Sequence, residues 1–250
     1  MLLDHPTGQY RFIPGSDPYS RGVTAAPGYE IIHCVMDQRL PWQQGFERID
    51  AHLREIGRPR IALCGVELRS PAPFPMQGFK DFNQGYCRMI RSWGLWVDEH
   101  NPVARTNVAP MQEPPDEVVL HAFSITIPAR GTPAPTFVLA GAGELREGVL
   151  DESHIVRRGD TSAAAMREKA VCVMDVMEQR LTGLGGSWSQ VTTVDVYTVY
   201  LEASQLSDTV VPRLGPACRH GVRWYRARPP VVDIDFEMDM RGIRQEIIVY

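Results

Sequence analysis

Arg105 is a candidate for binding a carboxylate. It lies between Ala104 and Thr106 in a segment that alternates like a β-strand, so its side chain points to the face opposite theirs. A planar guanidinium holds a carboxylate through two parallel, charge-assisted hydrogen bonds. From the spacing alone, an exposed or ion-paired surface arginine is the ordinary alternative.

His121 is a candidate for proton transfer. The predicted strand around it places His121 on one face with Val119, Phe123 and Ile125. Burial on an apolar face lowers the pKa of an imidazole and keeps it neutral, which suits a general base near pH 7. The ordinary alternative is a core histidine that is hydrogen-bonded to a backbone carbonyl.

A row of carboxylates lies near the end of the chain. Residues 232–240 alternate between acidic and apolar types, and the predicted strand carries on one face Asp233, Asp235, Glu237 and Asp239. Carboxylates so close together repel one another unless they are paired or solvated. Because Arg226 and Arg228 precede them with the same period of two, we expect cross-strand ion pairs. A divalent-cation site is the less favoured alternative, and no metal site is predicted.

Composition limits the classes of protein to which this chain can belong. Of its 250 residues, 44% are hydrophobic and 22% are charged, as in a globular protein with one large or two small domains. A net charge of −4 argues against nucleic-acid binding, and no apolar run is long enough to cross a membrane. Without a signal-like N-terminus or a CxxC pair, we expect a cytoplasmic protein whose five cysteines are reduced.

Common cofactor and nucleophile motifs do not occur in the sequence. Gly141 and Gly143 begin a glycine pattern after a predicted strand, but Arg146 occupies the third glycine position of GxGxxG. This departure excludes a dinucleotide-binding loop. The GxSxG, HExxH and GxxxxGK[ST] patterns are also absent from the sequence.

Hydrophobic periodicity predicts an α+β protein made of two similar units. A proline-rich break at residues 128–135 divides the chain into units 1–130 and 131–250. Helices are expected near residues 45–57, 79–93 and 160–181, with β-branched strands between them. Each unit shows a strand, a helix and a strand, followed by two further strands, so a diverged duplication is the simplest explanation.

The units resemble the Rid family, also called the YjgF family. In the first unit, residues 18–23 (PYSRGV) are similar to the family's PYSxxV opening, residues 83–86 (NQGY) to its NxxY, and residues 102–108 (PVARTNV) to its PARSxV signature. The second unit keeps the glycine of the family's SGQ segment as Gly141 and an acidic residue in its last strand as Glu237.

The resemblance implies a fold, an assembly and a reaction. The fold would be two tandem Rid-like, chorismate-mutase-like units, each a mixed sheet with helices packed on one face, and the assembly a homotrimer. The reaction would be cofactor-independent hydrolysis, a deamination, of a small carboxylate-bearing enamine or imine. The implied site residues are Arg105 as the carboxylate anchor, Tyr19, Asn83 and Cys34 around the cleft, and His121 or Glu237 for activating water.

Neither unit keeps the complete family set. The family arginine falls on His220, or on Arg219 in a shifted register, in the second unit, and the family glutamate falls on His121 in the first. The family serine is Cys34 in the first unit and Ala140 in the second. Two alternatives therefore stay open: a non-catalytic metabolite-binding module, and an enzyme that converts a cyclic carboxylate such as chorismate. The acidic balance disfavours RNA cleavage.

Overall fold

The fold is α+β, as expected, with two mixed sheets. The computed structural model describes residues 1–131, 134–146, 151–200 and 208–250. The strands are β1 (Leu3–His5), β2 (Tyr10–Ile13), β3 (Gly22–Ala25), β4 (Tyr29–Pro41), β5 (Leu63–Arg69), β6 (Ala104–Pro110), β7 (Val119–Pro128), β8 (Phe137–Gly143), β9 (Thr193–Tyr197), β10 (Arg223–Tyr225), β11 (Ala227–Arg228), β12 (Glu237–Gly242) and β13 (Glu246–Val249). The α-helices are α1 (Trp42–Glu55), α2 (Met76–Ser92) and α3 (Ala163–Gly183).

A six-stranded sheet packs against α1 and α2. Its strand order is β11-β6-β5-β7-β4-β13, with β5 parallel to β6 and antiparallel to β7. Helix α1 buries Phe46, Ile49 and Leu53, which recur at helical spacing and pack in one cluster with side chains of the sheet. Past the helix end, Gly57 adopts φ +69°, the left-handed conformation that favours glycine at this position.

A seven-stranded sheet packs against α3. Its order is β1-β2-β3-β8-β12-β9-β10, with β9 parallel to β10 and β12 antiparallel to both β8 and β9. Helix α3 begins after Ser162, whose hydroxyl accepts a hydrogen bond from the Ala165 amide at 3.3 Å. Its buried face packs Met166, Val173 and Met177 against this sheet.

The two sheets face each other across a third core. Phe12, Val23 and Val138 of the seven-stranded sheet cluster with Ile31 and Ala104 of the six-stranded sheet. The sheets also exchange strands: β1–β3 join the sheet of β8, β9 and β12, whereas β11 and β13 join the sheet of β4–β7. Each half therefore contributes edge strands to the core of the other.

The C-terminal acidic row differs from the expected strand. Strand β12 begins only at Glu237, because Asp233 adopts φ +72° and the chain turns there. The prediction that these carboxylates pair with Arg226 and Arg228 is wrong. The observed partners are Arg158 for Asp233, Lys169 for Asp235 and Arg241 for Asp239. The cause is that residues 222–228 divide between β10 and β11, which belong to different sheets.

Within the described ranges, none of the helices has the length and apolar character needed to cross a membrane.

Candidate active site

Arg105 points from β6 toward helix α2. The residue is 3% exposed, and its Nη2 donates a hydrogen bond of 2.7 Å to Oδ1 of Asn83. Among the described residues, the buried Nη1 has no hydrogen-bond partner. A buried guanidinium with an unused donor can receive an anion, because the ligand supplies the missing acceptor.

Aromatic rings surround the Arg105 guanidinium. Its carbon lies 4.6 Å from the ring centroid of Tyr86 and 4.9 Å from that of Tyr19, and Phe79 and Phe82 lie within 6 Å. Because the face of an aromatic ring attracts a cation, these rings help to hold the guanidinium in this position. Of the four predicted residues near this cleft, Tyr19, Asn83 and Arg105 therefore do come together.

Glu237 enters the same cavity from the other sheet. It is the first residue of β12, it is 5% exposed, and its backbone pairs with Gly143 on β8. Gly141 on β8 leaves the space for its carboxyl group, since a Cβ at position 141 would collide with Oε1 of Glu237 and lie 3.2 Å from Thr106. A side chain at position 141 would therefore displace the carboxyl group of Glu237 from its position in the cavity.

The environment of Glu237 favours its protonated form. Burial is the largest cause that raises its pKa well above the ordinary value, and the charges of Asp239 and Glu144 raise it further. Arg105 and Arg180 act in the opposite direction. A carboxyl group in this state can donate a proton near neutral pH and afterwards take one back.

One cavity of about 690 Å³ joins these groups. Its described lining comes from α2, α3, β6, β8, the start of β12 and the segment before β3. Two of its described lining residues, Asp17 and Glu237, are acidic, whereas seven are basic: Arg21, Lys80, Arg88, Arg91, Arg105, Arg146 and Arg180. A cavity with this charge excess suits a small substrate that carries more than one carboxylate.

Arg180 is a cavity residue that the sequence analysis missed. It is 7% exposed on α3, and its Nη1 donates to the carbonyl oxygen of Ala140 at 2.9 Å. The signal was present in the sequence, because Arg180 lies two helical turns after the buried Val173, on the apolar face of α3. A cation on such a face indicates a buried partner or a ligand.

His121 lies outside this cavity, in a second buried group of charges. Burial lowers its pKa to about 4, and the nearby charge of Arg69 lowers it further. The group contains Arg241, which binds Glu67 at 2.5 Å, Asp195 at 2.5 Å and Asp239 at 3.2 Å. We call these residues, with Arg69, His33 and His121, the closed network, because its carboxylates are already paired with its own arginines. Among the described residues, Nε of Arg241 and Oδ1 of Asp195 have no hydrogen-bond partner.

Cys34 also lies outside the cavity. Its side chain is fully buried between α1 and the six-stranded sheet, where β4 pairs it with Phe123. Burial raises the pKa of its thiol to about 12, so the group stays protonated and unreactive. The structure therefore places Cys34 in the core and not among the described cavity residues.

The second half of the chain also contains a parallel strand pair, β9 with β10. Parallel pairing sets Arg105 beside Val66, and Trp224 is in the same way beside Val196, 130 positions after Val66. The expected equivalent, His220, is wrong because it ends an exposed 3₁₀ segment, Gly215–His220, outside any strand. The complete set of candidate groups therefore occurs once in the described chain. Across the same residues, no group of three or more potential metal ligands comes together.

Comparisons with known proteins show what the chain as a whole is similar to. A family model described as 2-aminomuconate deaminase CnbZ matches residues 2–247. The chain is 41% identical over 246 residues to the 2-amino-5-chloromuconate deaminase of Comamonas testosteroni, covering 97% of this chain and 96% of that protein. A crystal structure of a chorismatase matches with a TM-score of 0.51 and 11% identity, over 89% of this chain and 77% of its own. The last similarity concerns the fold alone.

Proposed function

This chain belongs to the 2-aminomuconate deaminase CnbZ family, and we propose that it hydrolyses a 2-aminomuconate-type enamine to the corresponding 2-oxo acid and ammonia. The membership confirms the expectation of a deaminase that acts on a carboxylate-bearing substrate. The membership therefore favours a deaminase over the two alternatives, a non-catalytic metabolite-binding module and an enzyme that converts a cyclic carboxylate such as chorismate.

One observation carries the proposal: Arg105 and Glu237 line the same cavity although they belong to different halves of the chain. Arg105 binds the carboxylate next to the amino-bearing carbon, which fixes that carbon relative to the carboxyl group of Glu237. A 2-aminomuconate has a carboxylate at each end, and the remaining basic residues of the cavity, Arg180 among them, bind the second one.

A single protonated carboxyl group is sufficient for each proton transfer. Glu237 gives its proton to a carbon of the enamine, which leaves an iminium at C2 and a carboxylate at position 237. Water attacks C2 and its proton passes to that carboxylate, giving a carbinolamine. Glu237 then passes this proton to the nitrogen, the C–N bond breaks and ammonia leaves. The hydroxyl proton returns to the Glu237 carboxylate as the C2–O bond becomes a carbonyl, which restores the protonated acid. One water is consumed and no electrons are transferred.

Ammonia release from 2-aminomuconate, generated in situ, tests this assignment in Glu237→Gln and His121→Gln. Glu237→Gln keeps the size of the side chain but removes its transferable proton, so kcat should fall by about 10²–10⁴-fold while substrate still binds. His121→Gln should stay within about threefold of wild type, because His121 lies outside the cavity. A wild-type kcat in Glu237→Gln would overturn the proposal, and a large loss in His121→Gln alone would move the base to His121.

We further propose that the chain arose as a tandem pair of Rid-like units, 1–130 and 131–250. The three motifs of the first unit support this proposal. So does the repeated arrangement in which a helix precedes a parallel strand pair, α1 with β5 and β6, and α3 with β9 and β10. The exchange of edge strands between the sheets means that neither unit is expected to fold alone.

A homotrimer remains our proposed assembly. Three chains carrying two unlike units each close a ring with threefold symmetry, at about 84 kDa for three chains of 28.1 kDa. Multi-angle light scattering at micromolar concentration measures this mass directly. A mass of one chain would remove the proposal.

We propose a cytoplasmic location. The five cysteines are free, and Cys34 and Cys64 are buried. Free thiols are typical of proteins in a reducing compartment. Fractionation of the producing cells, followed by immunodetection, tests this directly.

A further inference from the structure

We propose that Lys169, Glu144 and Asp235 form a positioning triad that holds Glu237 at the cavity, an inference that rests on the proposed function of Glu237. Lys169 projects from α3, and its ammonium pairs with Oε1 of Glu144 at 3.2 Å and with Oδ2 of Asp235. None of the three belongs to the described cavity lining. The triad therefore acts on the reaction through Glu237 and not by touching the substrate.

Glu144 connects the triad to the backbone that carries Glu237. Its Oε1 accepts a hydrogen bond of 2.6 Å from the Asp235 amide, and its Oε2 accepts one of 2.9 Å from the Phe236 amide. These two residues directly precede Glu237, whose backbone partner on β8 is Gly143, the residue before Glu144. The Glu144 carboxylate therefore holds the backbone just before β12 against the end of the neighbouring strand, β8.

The triad is not explained by stability alone. The side chains of Lys169 and Glu144 are both 0% exposed, so both charges have lost their hydration. Replacing a buried ion cluster by apolar groups of similar size often leaves a protein as stable, or makes it more stable. The neighbours of Lys169 on the buried face of α3, Met166 and Ala170, show that an apolar residue would fit the pattern of this face.

The triad also affects the protonation of Glu237. The charged groups that act on Glu237 are Asp239 and Glu144, which raise its pKa, and Arg105 and Arg180, which lower it. Burial raises the pKa of Glu144 itself to about 7, against the opposing effects of its backbone hydrogen bonds and its lysine partner. Loss of the negative charge at position 144 should therefore lower the pKa of Glu237.

The test measures kcat and KM for 2-aminomuconate over about pH 6 to 9 in Lys169→Met and Glu144→Gln. We expect kcat to fall by about 10–100-fold in both variants while KM changes by less than about threefold, as for other residues that orient a reacting group. The alkaline limb of the kcat profile should move to lower pH in Glu144→Gln, because Glu237 then loses its proton more readily.

Two further variants keep the result interpretable. Arg69→Met removes a buried cation that pairs with Glu67 at 3.2 Å outside the cavity, and it should lower stability without changing the kcat profile. If Lys169→Met does not fold, Asp235→Asn takes its place, since it keeps the size of the side chain. Wild-type kcat and pH profile in Glu144→Gln and Asp235→Asn, with Glu237→Gln inactive, would overturn the triad. A wild-type kcat in Glu237→Gln would overturn the proposed function and the triad with it.

Discussion

Strand β12 carries two buried carboxyl groups that belong to different charge clusters. Glu237 faces the open cavity, where Arg105 has one amide partner at 2.7 Å and an unused Nη1 among the described contacts. Asp239, two residues later, lies in the closed network, where Arg241 binds three carboxylates. Among the described contacts, the arginines of the two clusters therefore differ in how many carboxylates they bind: none for Arg105 and three for Arg241.

The difference indicates what each cluster is for. A buried cation without a bound acceptor loses free energy on folding and recovers it when an anion binds. A cation that already binds three carboxylates, as Arg241 does, has little capacity for a further anion, and removing it alone leaves those carboxylates buried without a counter-charge. The cavity cluster is therefore suited to binding and reaction, and the closed network to holding the two sheets together.

Substitutions in the closed network should lower the free energy of unfolding more than they change the kinetics. Arg241→Met leaves Glu67, Asp195 and Asp239 buried without their shared cation, so the free energy of unfolding should fall by about 3–5 kcal/mol. Urea unfolding measures the loss, and KM of the remaining folded protein should be unchanged. A large rise in KM with full stability would show that the network binds substrate.

Substitutions among the charged groups of the cavity, Arg105 and Glu237, should change the kinetics more than the stability. Arg105→Met removes two charge-assisted hydrogen bonds to the substrate carboxylate, so kcat/KM should fall by about 10²–10³-fold. Its melting temperature should stay the same or rise, because an incompletely bonded buried cation is removed. Arg105→Lys, which keeps the charge without the fork, should weaken carboxylate binding by about 1–3 kcal/mol. Unaltered ligand affinity in both variants would make Arg105 structural.

A substitution at Gly141 tests how accurately the carboxyl group of Glu237 must be placed in the cavity. Gly141→Ala places a methyl group against Oε1 of Glu237 and should lower kcat by roughly 10²-fold through misplacement of the acid. Gly78→Ala on α2 is the matched control, since its nearest contact would be an ordinary 3.6 Å to Pro75. Equal kcat values in the two variants would show that the position of Glu237 tolerates displacement.

Both clusters hold carboxyl groups whose titration affects stability. Burial raises the pKa of Glu144 to about 7 and that of Asp239 to about 8, so the stability they contribute is present at low pH and is lost as pH rises through those values. His33 and His121, with pKa values lowered to about 3 and 4, decrease stability only below the ordinary imidazole pKa of 6.5. Between pH 6.5 and 8 the free energy of unfolding should therefore fall, by about 1–2 kcal/mol.

Chemical denaturation at a series of pH values checks this slope. Asp239→Asn should flatten it, because the substituted side chain no longer titrates. A slope as steep as that of wild type would assign the effect to other groups.

The smallest effect on the reaction is expected at Cys34. Cys34→Ala should leave kcat and KM unchanged and lower the free energy of unfolding by about 1 kcal/mol, since it removes only a buried sulfur from the core. Steady-state kinetics and thermal melting separate the two effects. An increase in KM would return Cys34 to the substrate site, as its family position implied.

Local patterns predicted much of this molecule because the elements concerned depend on neighbouring residues. The apolar spacing of Phe46, Ile49 and Leu53 predicted α1, and helical periodicity predicted a helix over residues 160–181, which the structure has as α3 (Ala163–Gly183). The resemblance to the Rid family implied that Tyr19 and Asn83 lie around the same cleft as Arg105, and the structure brings both to its guanidinium. The alternation through Asp233 and Asp235 failed, because one residue with positive φ ends the strand pattern.

The sequence by itself determined the α+β class, and it predicted two similar units and an arginine for a carboxylate. Only the tertiary structure decided that Glu237, and not His121, shares a cavity with Arg105, and that Lys169 and Arg180 face inward from α3. Strand alternation specifies the face on which a side chain lies, whereas its partners depend on which strands of a distant half pack against that face. The pairing of β12 with β8, and the packing of one sheet on the other, therefore made one cluster open and the other closed.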